Sequence, residues 1–238
     1  GLLQVYQWNW TAAQTAKANS APNTLSDFKP SRGLWDAVGD LSALDFTSAS
    51  GRPRDTIILT HGWNDKFNWE ADGFNEEYIN IFAADLTMSM SPADFDDAPL
   101  ILAIDWNLED SIWDSNPNDR SLGGDFANGG PVAAELDAIM SASNGIRLGG
   151  SLAGLLSTTA IDPGNLALIG HSNGAGFMAG VAAGLYDLRG KKTDLLVALD
   201  APWLTPSYWV TAAANAYVDD LLNYYITPVQ LDITDAAE

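Results

Sequence analysis

The chain contains no cysteine, so it can hold no disulfide, no zinc thiolate and no cysteine nucleophile. Basic residues are scarce: Lys and Arg together number 11 against 31 Asp and Glu, a formal net charge of -20 at pH 7. Duplex DNA and anionic membranes repel such a surface, so no nucleic-acid partner is expected. The same acidity favours solubility and would suit a salty setting. No apolar run reaches the length of a membrane span. The opening residues GLLQVYQWNW lack the basic n-region of a signal peptide. The expectation is a secreted, extracellular protein whose leader has been removed. Histidine is scarce as well, with only His61 and His171 present.

What is present is enough to build a large core. The 238 residues are 47% hydrophobic, which fits one α/β domain over residues 1–238. Residues 1–50 read as a strand or two and a short helix packed on it. Thereafter the chain alternates. DTIILT (55–60), PLILAID (99–105), LALIG (166–170), DLLVALD (194–200) and LLNYYIT (221–227) read as strands. Helical spacing marks residues 72–90, where Asp72 is the expected cap and the Ser91–Pro92 pair the expected stop. A second apolar helical face is formed by Val132, Leu136, Ile139 and Met140, and a third helix runs from 173 to about 188. Residues 107–130 read as a long loop, and SPADFDDAP (91–99) as an acidic turn. Strands apolar on both faces, alternating with helices, predict a mostly parallel sheet covered on both sides. Ligands of such sheets bind at the carboxyl ends of the strands.

Three strand ends carry chemistry. Gly170-His171-Ser172-Asn173-Gly174 is a G-x-S-x-G sequence between a strand and a helix, the context in which a sharp turn presents a nucleophilic serine. Gly170 and Gly174 give that turn room. Gly176, Gly180 and Gly184 recur at a spacing of four and are expected to press the helix closely onto the sheet. His61-Gly62, ending the first strand of the alternating region, lets the backbone turn and expose N–H groups to a developing oxyanion. Trp63 and Asn173 are the expected donors, and the His61 side chain is expected to brace the loop. Asp200 ends the strand after the serine strand, where a carboxylate could orient a histidine.

Taken together, TIILTHGWND, LILAIDW with Asp105-Trp106, NLALIGHSNGAG, LVALDAP and YVDDLLNYYI resemble the pancreatic-type lipase family of α/β-hydrolases over about Asp55 to Thr227. The resemblance implies an α/β-hydrolase fold and hydrolysis of carboxylic esters, usually lipids or phospholipids. It implies Ser172 as nucleophile, Asp200 as triad acid and the amides of Trp63 and Asn173 as the oxyanion hole. The chain departs from the family in three places: Asn173 stands where leucine is usual, Ala201-Pro202 reverses the usual order, and no cysteine-closed lid can form.

The family's catalytic histidine should follow Asp200, yet none of residues 201–238 is histidine. His171 adjoins the nucleophile on the turn, where neighbouring side chains point apart, and His61 belongs to the oxyanion loop. Three explanations stand. The chain is a fragment whose C-terminal part of the fold is missing or separate, which is the preferred one; the fold has become a non-catalytic binding or structural module; or a second chain supplies the histidine. With a histidine in place, it takes the Ser172 proton as Ser172 attacks an ester, then protonates the leaving alcohol, and water releases the acyl group.

Weaker signals remain. Asp114, Asn116, Asn118 and Asp125 fall at the first, third, fifth and twelfth positions of a calcium loop, but Asp119 replaces the required glycine and Pro117 interrupts it. A solvated acidic loop is the better reading and a calcium site the lesser one; no other cofactor is expected. Trp63, Trp69, Trp106, Trp113, Trp203 and Trp209 lie near strand ends or loops, fitting an acyl or sugar cleft as well as they fit ordinary packing. Asn9-Trp10-Thr11 matches the glycosylation triplet and carries little weight.

Overall fold

The computed structural model describes residues 3–19, 34–62, 74–106, 139, 142–202 and 205–224. In chain order the strands are β1 (Leu3–Trp8), β2 (Trp35–Val38), β3 (Thr56–Thr60), β4 (Leu100–Trp106), β5 (Leu166–His171), β6 (Thr193–Leu199) and β7 (Val218–Tyr224). The helices are α1 (Trp10–Asn19), α2 (Phe74–Ser89), α3 (residues 142–156), α4 (Asn173–Arg189) and α5 (Pro206–Ala213). The strands form one seven-stranded sheet in the order β2-β1-β4-β3-β5-β6-β7. From β4 to β7 all neighbours are parallel, while β1 runs antiparallel to both β4 and β2. The molecule is thus an α/β fold with a mostly parallel sheet.

Strand alternation divides the core in two. Ile58, Leu102, Ile104, Leu168 and Leu196 face Leu152, Leu156, Phe177, Val181 and Leu185 of α3 and α4. Leu59, Ile101, Ala103 and Ile169 face the other way, towards Ala13 of α1 and Ile79 and Ala83 of α2. A single register therefore decides which apolar set each helix layer receives. β3 lies between β4 and β5, so the chain winds outwards from it in both directions. Right-handed crossovers then place α2 and α4 on opposite faces. The carboxyl ends of β3 and β5 are where such a sheet leaves a crevice.

Several local readings shift. β7 begins at Val218, three positions before the expected LLNYYIT run, because the outward-facing Asp219 and Asp220 dilute its apolar signal. SPADFDDAP contains a 3-10 helix over Pro92–Asp97 whose capping box joins Ser91 and Asp94. Residues 142–156 are helical, and their many Ser and Gly residues obscure the helical spacing of Leu148, Leu152 and Leu156. Asp72, Val132, Leu136 and Met140 lie outside the described residues, while Ile139 is helical.

The glycine stripe of α4 also needs correcting. It faces neighbouring helices, not the sheet. A Cβ at Gly176 would lie 2.4 Å from Ser207 Oγ of α5, at Gly180 2.4 Å from the Ile146 carbonyl oxygen, and at Gly184 2.7 Å from Ala153 Cβ. Gly149 answers from α3, where a Cβ would lie 2.1 Å from the Phe177 carbonyl oxygen. The two helix backbones are thus in direct contact, and the sheet side of α4 is filled by larger residues such as Phe177.

Scarce cations close exposed carbonyl groups. Lys17 donates to the carbonyls of Thr87, Met88 and Met90 at 2.9, 3.0 and 2.8 Å, closing the end of α2. Arg189 donates to those of Ser157, Thr159 and Ile161 beyond α3, Lys192 to those of Asn215 and Val218, and Arg54 to that of Ala98. Charges placed at helix carbonyl ends also oppose the helix dipole.

Two outcomes are expected. Gly149→Ala forces α3 off α4 and lowers stability by about 1–3 kcal/mol. Gly150→Ala meets nothing within 4 Å and raises stability by up to about 1 kcal/mol through helix propensity. Urea unfolding of the two variants measures the contrast. The second concerns Asp162, whose carboxyl is held below the usual range chiefly by the hydrogen bond from Lys191, with help from the Gly164 N–H and the charge of Arg189. A depressed folded value gives stability that is present above the unfolded value of about 3.9 and lost as pH falls through the folded one. Asp162→Asn should therefore lower Tm at pH 7, with the gap from wild type narrowing as pH falls below about 4.

Candidate active site

β5 runs straight into Ser172, and α4 starts at the next residue. Ser172 has φ 52° and ψ −128°. A side chain with a Cβ seldom adopts this conformation, which costs about 1–3 kcal/mol and persists only where surrounding structure over-determines it. Here the surroundings are explicit. The Ser172 N–H donates to the Leu199 carbonyl at 2.8 Å, and its carbonyl accepts from the Ala175 N–H at 3.0 Å. A Cβ at Gly170 would lie 2.3 Å from the Gly174 carbonyl oxygen, and a Cβ at Gly174 would lie 2.2 Å from the His61 carbonyl oxygen. The turn is folded back on its own strand and pressed onto the end of β3, and only glycine fits at either place.

Gly62 completes the contact. A Cβ there would lie 2.8 Å from Ser172 Cβ, so the segment leaving β3 passes directly beside the serine. Asn173, 1% exposed, is the first residue of α4. The first N–H groups of a helix have no intrahelical acceptor and carry its positive dipole end, which suits a developing oxyanion. Trp63, the other expected donor, lies outside the described residues.

His61 is buried, and its ring is held on both sides. Nδ1 donates to the Gly62 carbonyl at 2.7 Å, while Nε2 lies 3.1 Å from Asp105 Oδ1 and 3.3 Å from the Trp106 backbone nitrogen. The Trp106 indole N–H donates to the His61 carbonyl at 3.2 Å, and the two rings stack. With both ring nitrogens taken up, the imidazole is committed to the loop and not to Ser172. Asp105 enters the site as its partner. The signal for it was register: Thr60 pairs with Ile104, so the next residues, His61 and Asp105, stand level on adjacent parallel strands. His171 packs its ring on Tyr78 of α2, with centroids 6.1 Å apart, and the Tyr78 hydroxyl donates to the Thr60 carbonyl.

Asp200 follows β6 directly and has φ 51°. Its N–H donates to the Tyr224 carbonyl at 2.7 Å. His171 pairs with Leu199, so Ser172 and Asp200 leave adjacent strands at the same level. Such strands lie about 4.8 Å apart. The structure thus brings together Ser172, Asn173, Gly62, His61 and Asp200, with the His61 ring turned to Asp105 and the His171 ring packed on Tyr78.

Other expected features separate. Trp106 is buried between His61 and Phe177 and belongs to the core, whereas Trp209 is 66% exposed on α5. Trp69, Trp113 and Trp203, like Asp114, Asn116, Asn118 and Asp125, lie outside the described residues. Among the described residues no group of three or more His, Asp or Glu is placed to hold a metal ion, and no helix is long and apolar enough to cross a membrane. Asn9 is the N-cap of α1: its Oδ1 accepts the Ala12 N–H at 2.9 Å and its Nδ2 donates to Asp36 at 2.9 Å. The amide that a glycan would occupy is engaged in the fold. The sequence matches no protein-family profile, and no curated protein is significantly similar to it.

Removing the His61 ring leaves Asp105 buried beside an empty space and frees Gly62. His61→Ala should lower unfolding free energy by about 2–4 kcal/mol, measured by chemical denaturation.

Proposed function

We propose that this chain carries the nucleophile and acid of a serine carboxylic-ester hydrolase of lipase-like, α/β-hydrolase type, acting on lipid or related ester substrates outside the cell. The observation that carries the reading is the backbone of Ser172. A serine held at φ 52° between a buried strand and a helix, against a loop that admits no side chain, is costly to fold and has no packing role that explains it. Ser172 attacks the ester carbonyl, the Asn173 N–H and that of Trp63 receive the oxyanion, and Asp200 orients the base. The base is a histidine beyond the chain's own two, contributed by a further segment or a second chain. It accepts the serine proton, passes it to the leaving alcohol, and then activates the water that frees the acyl group.

A second reading, a non-catalytic module of the same fold, is favoured by the engagement of His61 and His171 in packing. Fluorophosphonate labelling, read by intact mass and peptide mapping, separates the two. The expected result is labelling of Ser172 in the protein isolated from its source and none in the 238-residue chain expressed alone. Asp200→Asn, introduced into the complete protein, should slow labelling by up to on the order of 10⁴. Labelling of neither sample would establish the module. Labelling of the chain alone would return the base to His61 or His171.

A further inference from the structure

Asn173 makes a contact that the mechanism above does not use. Its Oδ1 accepts a hydrogen bond from Ser207 Oγ at 3.1 Å, and its carbonyl oxygen lies 3.5 Å from the same hydroxyl. Ser207 is fully buried in the first turn of α5. Its Cα stands only 2.8 Å from where a Cβ of Gly176 would be, so α5 touches α4 backbone to backbone one turn after the nucleophile. Serine is the smallest side chain that offers a donor at such a crossing. The other end of the same turn is tied to the acid. Thr205 donates to the Pro202 carbonyl through both its N–H, at 3.0 Å, and its hydroxyl, at 2.8 Å, two residues after Asp200.

The short helix α5 therefore joins the two halves of the site. We infer that Ser207 is a positioning residue for Ser172: its hydroxyl fixes the Asn173 side chain and with it the first turn of α4, while Thr205 fixes the Asp200 loop to the same helix. This rests on the ester-hydrolase reading for its catalytic meaning, though the clamp itself is a matter of structure. Ser172 is strained, and strain persists only while its neighbours hold it. Loss of the Ser207 hydroxyl leaves Asn173 Oδ1 buried without that donor, and the turn relaxes locally while the sheet stays intact.

Amide hydrogen exchange of the 238-residue chain tests the clamp without requiring activity. In Ser207→Ala, amides of residues 172–176 should exchange about tenfold faster relative to those of 166–170. Thr87→Val is the control, because it removes another fully buried hydroxyl, bonded to Trp8 and Ala83 on the far face, and should not single out the turn. Ser207→Cys keeps the volume with a weaker donor and should give the same local pattern more mildly, also where the alanine variant fails to fold. Exchange at 172–176 that moves in step with 166–170, or does not move, overturns the inference. In a labelled complete protein, Ser207→Ala should cut the maximal rate of Ser172 modification about tenfold and leave the half-saturating probe concentration unchanged. An unchanged rate overturns the inference as well. Wild-type protein that never labels counts against the ester-hydrolase reading, and the exchange pattern still decides the clamp.

Discussion

The close approach of the Ser172 turn to the end of β3 is the constraint on which the site depends. Three backbone segments meet there with no space for a side chain at Gly62, Gly170 or Gly174. Once that approach is fixed, the rest follows. The His61 carbonyl lies against the turn, so the His61 ring must be held away from it, and Asp105 and Trp106 at the end of β4 hold it. The conformation of Ser172 is then imposed from outside, by a strand on each side and a helix behind. A rigid sheet built from two apolar faces supplies the stiffness that such a turn requires.

The distribution of histidine gives this site its particular character. One imidazole is held in the loop beside the serine by hydrogen bonds, and the other packs against Tyr78 of α2. Ser172 and Asp200 leave neighbouring strands at the same level. On the ester-hydrolase proposal, the chain carries the costly part of the centre, the strained turn, and the proton acceptor is the part supplied from elsewhere.

Much of this was legible in the sequence, and the failures have physical causes. β3, β4, β5 and β6 lie within a residue or so of their apolar runs because burial on both faces leaves an unbroken signal. The start of β7 at Val218 was hidden because Asp219 and Asp220 are exposed and break the apolar run. The stripe Gly176, Gly180, Gly184 was visible as a smooth face, but periodicity does not say which neighbour a face meets, and α3, the main neighbour, was itself hidden in a Ser- and Gly-rich stretch. His61 and Ser172 announced themselves by glycine context. Asp105 could be paired with His61 only through strand register, and Ser207 had no pattern at all, since its importance comes from a helix crossing that no local sequence encodes.

The placement of the cations has a further consequence. Lys17, Arg54, Arg189 and Lys192 donate to neutral carbonyl oxygens, and Lys191 pairs with Asp162. With 31 acidic side chains to 11 Lys and Arg, the chain cannot supply each carboxylate with a cation of its own. Their mutual repulsion falls to mobile counterions, whose screening reaches only about 8–10 Å at moderate ionic strength. A short hydrogen bond from an ammonium to a carbonyl is weakened far less by that screening than repulsion between distant carboxylates. Screening by dissolved salt is therefore expected to add stability to this fold that the polypeptide alone does not supply.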